Sequence, residues 1–148
     1  MNAFGGGQPF MVLVDDDSHS ARLMIRVLLA HGAPSVSWMD TGPVGAERIG
    51  ALLEDARAAL PGLVIVDLKA SSSATHEFIE QLRGMRNGSA LLIAAMAPSL
   101  EKEVRDRLLA CGADAVFERH AEVDFYRREA AAIVSFWVRN QHLEAVGT

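Results

Sequence analysis

Five short apolar runs punctuate this chain, separated by longer segments with a helical period. The runs are MVLV (11–14), VSWM (36–39), LVIV (63–66), ALLIAAM (90–96) and AVF (115–117). Their length and β-branched content suit strands. The segments between them predict helices from about Ser18 to Ala30, 43 to 60, 75 to 86, near Ser99 to Gly112, and about Asp124 to His142. In the first, Leu23, Met24, Val27 and Leu28 form one stripe. In the second, Pro61-Gly62 reads as the stop. Strict alternation of the two element types leaves few solutions. It predicts a parallel sheet with helices on both faces. LVIV is apolar at every position, as a central strand covered on both sides requires. Ligands of such sheets bind beyond the carboxyl ends of the strands. The residues that follow each run are therefore the ones that matter for function.

The first run ends on Asp15, Asp16 and Asp17, and the third ends on Asp67. If these strands are neighbours, several carboxylates converge on one rim. Carboxylates crowded without a counterion repel one another, and a hard divalent cation such as Mg²⁺ resolves the conflict. Asp17 or Ser18 suits the N-cap of the first helix instead. The fifth run delivers Glu118, Arg119 and His120, and a fixed cation there suits an anionic ligand such as phosphate.

Composition narrows the classes. The 148 residues suit one domain, and half are apolar, enough for a core. No apolar run approaches the roughly 18 to 20 residues of a membrane span. Net charge is −5, and the arginines and lysines are scattered, which argues against nucleic acid as a direct partner. One cysteine, Cys111, permits no internal disulfide and fits a reducing, cytoplasmic setting. Asp15-x-Asp17 echoes the haloacid-dehalogenase phosphatases, but Ser18-His19 is not their Gly-Thr-like continuation. Asp40-Thr41-Gly42 reads as a turn into the second helix rather than a protease motif.

The segments VLVDDD, LVIVD and CGADAVFER together resemble the receiver domain of two-component response regulators. The likeness spans about residues 10 to 143, and length and element order are similar to the chemotaxis members of that family. It implies a flavodoxin-like, doubly wound, five-stranded parallel sheet of order 2-1-3-4-5 flanked by five helices. It implies that Asp67 is the phosphoacceptor and that Arg119 stands where the family has lysine. It further implies Mg²⁺ held by the Asp16 and Asp67 carboxylates and the Lys69 backbone carbonyl, with Asp15 acting mostly through water. The implied partners are a sensor histidine kinase or phosphotransfer protein and a downstream protein target. A homodimer through the fourth helix, fifth strand and fifth helix is a further expectation. Such a module is a signalling phosphoacceptor rather than an enzyme.

Several positions depart from that pattern. Ala97, or Met96 if the register shifts by one, stands where the family has Thr or Ser. Ser99 is nearby, but its expected role is to cap the fourth helix. His120 replaces the proline that follows the family's lysine, so a trans peptide is expected there. Ser71, Ala74 and Thr75 fill the loop after Asp67, and Val116 replaces the aromatic switch residue. The metal-and-acceptor half looks retained and the half that responds to the phosphoryl group looks altered. An alternative follows: a phosphorylation-independent pseudo-receiver, acting as an interaction or dimerisation module. On the last helix, Ala130, Ile133, Val134 and Trp137 are expected to face the sheet, leaving Phe125, Phe136 and Val138 pointing elsewhere. Residues 1–9 read as a flexible lead-in, 10–143 as the domain, and 144–148 as a tail without an output domain.

Overall fold

The computed structural model describes residues 8–147, with side chains as far as residue 141. The first seven residues of the expected lead-in, and Thr148, lie outside the described residues. The strands are β1 (Phe10–Asp15), β2 (Ser35–Met39), β3 (Leu63–Asp67), β4 (Ile93–Ala97) and β5 (Ala115–Glu118). The helices are α1 (Ser18–Ala30), α2 (Gly42–Glu54), α3 (Ala74–Gly84), α4 (Lys102–Cys111) and α5 (Val123–Gly147). All strand pairs are parallel, and the order is β2-β1-β3-β4-β5. This is the expected doubly wound sheet.

Each face of the sheet carries its own core. Val12, Val14, Val64, Val66, Ile93 and Ala95 pack against α2, α3 and α4. Met11, Leu13, Leu63, Ile65, Ala94 and Met96 pack against α1 and α5. Alternate residues of one strand thus serve opposite cores, which is why β1, β3 and β4 must be apolar throughout. Burying each such side chain contributes about 1.5–3 kcal/mol. Gly45 lets α2 come close to the sheet, because a Cβ there would lie 3.1 Å from Phe78 and 3.2 Å from Val14. Gly112 ends α4 at φ +123, a conformation that disfavours other residues.

Several element ends differ from the sequence reading. α2 stops at Glu54, well before Pro61-Gly62, because the Asp55 carboxylate accepts the Arg57 N–H at 2.9 Å and stabilises a turn. Leu60 is accordingly exposed. Leu91 and Leu92 precede β4, since Gly88–Ala90 form a short 3₁₀ turn. α4 begins at Lys102, and Ser99 does not cap it; the Ser99 hydroxyl takes only a long bond from the Glu101 N–H, 3.4 Å. α5 continues past His142 to Gly147, so residues 144–147 are helical rather than a tail. On α5, Ala130, Ile133 and Val134 are buried, while Phe125 and Val138 are exposed. Phe136 differs from expectation: it packs edge-on against Phe117, with centroids 6.0 Å apart.

Candidate functional site

β1 and β3 are neighbours, and their register sets Asp15 opposite Asp67. Both are buried although both are acids: Asp15 is 0 % exposed and Asp67 is 1 % exposed. Such groups persist only when their oxygens are fully partnered, and here they are. Asp15 Oδ1 accepts the Asp17 N–H at 2.9 Å, and Oδ2 accepts the Ser20 hydroxyl at 2.7 Å. Asp67 Oδ1 accepts Arg119 Nε at 2.7 Å. Between the two carboxylates sits the Lys69 ammonium, 2.7 Å from Asp15 Oδ1 and 3.1 Å from Asp67 Oδ2. The same ammonium donates to the Asp67 carbonyl oxygen at 3.2 Å.

Asp16 is exposed and faces the loop after β3. Its Oδ1 accepts the Lys69 N–H at 2.9 Å, and its Oδ2 accepts the Ala70 N–H at 3.0 Å. Asp17 is the N-cap of α1 and accepts the His19 N–H at 3.1 Å. The three aspartates that end β1 therefore do three different things. Thr75 pins the same loop from inside: its hydroxyl accepts the Leu68 N–H at 3.0 Å and donates to the Leu68 carbonyl at 3.2 Å. At the sheet edge, Trp38 Nε1 donates to the Asp15 carbonyl at 2.8 Å.

Burial dominates the electrostatics. It holds the Asp15 carboxyl above the usual carboxylate range, against the pull of Lys69 and the Asp17 N–H. Beneath the pair lies Tyr126 of α5, almost fully buried. Burial, and then the negative Asp67 and Asp15, push its hydroxyl up to about 12. Beside Lys69 and Arg119 opens a cavity of about 460 Å³, also lined by Thr75, His76, Ala97 and Arg107. On that side Ala97 is buried and brings no hydroxyl to the β4 end. His120 turns from the cavity toward Glu129, 3.4 Å away, and its ring lies 5.2 Å from that of Phe125. Among the described residues no peptide bond is cis.

The sequence assigned Asp15, Asp16, Asp67, Lys69 and Arg119 to this rim, and the structure brings all five together. What it missed is the part played by the Lys69 side chain, by Ser20 and by Tyr126. Lys69 entered the reading only through its backbone carbonyl. The arrangement does not fit a divalent cation as it stands. The space shared by Asp15 and Asp67 holds an ammonium, and the Asp16 oxygens are turned to backbone N–H groups. Among the described residues no three His, Cys, Asp or Glu side chains gather in a metal-holding group.

No protein-family model and no curated protein matches the sequence. Solved structures do match. The phosphorylated cyanobacterial phytochrome response regulator RcpA is similar at TM-score 0.72 and 16% identity, over 89% of this chain and 95% of that one. A response regulator from Hahella chejuensis is similar at TM-score 0.70 and 18% identity, over 87% and 94%. The Mn²⁺-bound response regulator Rcp1 is similar at TM-score 0.66 and 16% identity, over 87% and 94%. The fold is that of the response regulator receiver domain. No described helix is long and apolar enough to cross a membrane.

Proposed function

We propose that the chain is a receiver module of two-component signalling that accepts a phosphoryl group on Asp67 and acts through protein contacts. The observation that carries this reading is the placement of Asp67. It ends the central strand, one of its oxygens is held by Arg119 at 2.7 Å, and its two cationic partners line the adjoining cavity. In the reaction, an Asp67 oxygen attacks the phosphorus of a phosphohistidine on a sensor kinase or phosphotransfer protein. The P–N bond breaks, its electron pair returns to the imidazole, and an acyl phosphate forms. Lys69 and Arg119 are placed to neutralise the charge that arrives, and catalysis of this kind rests mainly on positioning and electrostatics. The Lys69 ammonium stands on Asp67, one of the two carboxylates that the resemblance gives to Mg²⁺, so each of these steps is carried by Asp67, Lys69 and Arg119. The exposed apolar residues Leu109, Phe125 and Val138 make the α4–β5–α5 side the contact face for a target or a second copy. A reducing, cytoplasmic setting suits the single cysteine.

A second reading is favoured by Ala97 and by the closed ion pairs: a pseudo-receiver whose contacts do not depend on phosphate. One experiment separates them. The protein is incubated with acetyl phosphate, with and without MgCl₂, and its intact mass is read at short times. The phosphoacceptor reading expects one phosphoryl adduct, absent in Asp67→Asn. No Asp67-dependent adduct under either condition leaves the pseudo-receiver.

A further inference from the structure

The acidic pocket contains its own counterions. Two carboxylates, Asp15 and Asp67, are buried at the ends of adjacent strands, and two cations, Lys69 and Arg119, are hydrogen-bonded to them. The pocket is thus balanced at zero net charge without any added ion. Asp16 lies outside this balance, held by two backbone N–H groups. Lys69 is also tethered: it follows Asp67 by two residues, and its own backbone N–H is fixed on Asp16. A tethered group competes with a dissolved one at an effective concentration set by its short tether, about millimolar or more.

We infer that the Lys69 ammonium is a built-in replacement for a divalent cation, holding the pocket in a metal-free state that admits Mg²⁺ or Mn²⁺ only when Lys69 is removed. A divalent ion entering the pocket would meet an ammonium on Asp15 and Asp67, and the Asp16 carboxylate turned to the Lys69 and Ala70 N–H groups. It would add charge to a site that is already balanced, and like charges close together in a partly buried setting repel strongly. Mg²⁺ gives up its water reluctantly and demands oxygens at about 2.0–2.1 Å in octahedral array. Here Asp15 Oδ1 serves an ammonium and the Asp17 N–H, and Asp15 Oδ2 serves Ser20. The inference rests on the reading of this pocket as the functional site, but not on phosphorylation. Its test contains no phosphodonor, so the two can fail separately.

The test is titration of the purified full chain with MnCl₂ and with MgCl₂, followed by calorimetry. The wild type is expected to show no saturable one-site binding. Lys69→Met keeps the aliphatic stem and removes the charge; it is expected to bind one cation at least about tenfold more tightly and to gain thermal stability as metal is added. Adding Asp67→Asn to Lys69→Met is expected to abolish that binding. Lys69→Gln, with a polar uncharged end, serves the same purpose where the methionine variant does not fold. Saturable binding by the wild type within about threefold of either variant overturns the inference. So does a folded, uncharged variant that still takes no metal.

Discussion

At the ends of β1 and β3, each carboxylate oxygen of Asp15, Asp16 and Asp67 has a partner within the chain. At the ends of β4 and β5 the picture is sparse. Ala97 offers no hydroxyl, Val116 offers no aromatic ring, and His120 turns away to Glu129 across 3.4 Å. Among the described residues, the ion pair that joins the two halves is that of Arg119 with Asp67. The contrast shows where the fold invests its constraints. The acidic half is held by short, charge-assisted bonds among buried groups, so it is stiff and costly to disturb. The other half is joined by few polar contacts, and changes there should have small consequences for the resting structure.

Substitutions can break that contrast. The largest effect is expected for Asp15→Ala. It strips Ser20, the Asp17 N–H and Lys69 of a shared partner inside the core, and should cost about 2–3 kcal/mol in urea unfolding. A cost below that of a surface change would mean the pocket is looser than its bonds suggest. Next comes Tyr126, the only tyrosine in the chain, which makes its titration easy to read. Its hydroxyl is raised from 10.0 to about 12 in the folded protein. The unfolded chain therefore loses this proton first as pH rises. The stabilisation is complete below about 10 and is lost as pH climbs toward about 12. Ultraviolet titration should show no phenolate in the native protein at about pH 10.5, and phenolate at that pH once unfolded.

Much of this was legible in the sequence, for identifiable reasons. Asp15 and Asp67 each end an apolar run, and parallel pairing of adjacent strands then sets them opposite one another. The run LVIV could belong only to a covered strand. The boundaries that failed were those set by single side chains. Asp55 ends α2 through its own turn bond, a competition between side chain and backbone that hydrophobic periodicity does not register. The seat of the Lys69 ammonium was illegible for a related reason. A flexible four-carbon stem can reach solvent or two carboxylates, and loop geometry decides which.

Smaller effects sharpen the contrast from the other side. Arg119→Ala removes one of the two cations on Asp67. Because the arginine is itself 24% exposed, solvent screens part of the loss, and a cost of about 1–2 kcal/mol is expected in the same unfolding assay. His120→Ala should change stability by less than about 0.5 kcal/mol, since its polar contact is long and its loop is open to water. A His120 effect as large as that of Asp15 would erase the difference between the halves.

The central claim is that Lys69 supplies the pocket with its cation. A crystal structure of the wild-type protein grown in excess MgCl₂ tests it most directly. The prediction is Lys69 Nζ between Asp15 and Asp67, with no metal coordinated there. An octahedral ion bound to those carboxylates, with the Lys69 side chain displaced into solvent, would contradict it.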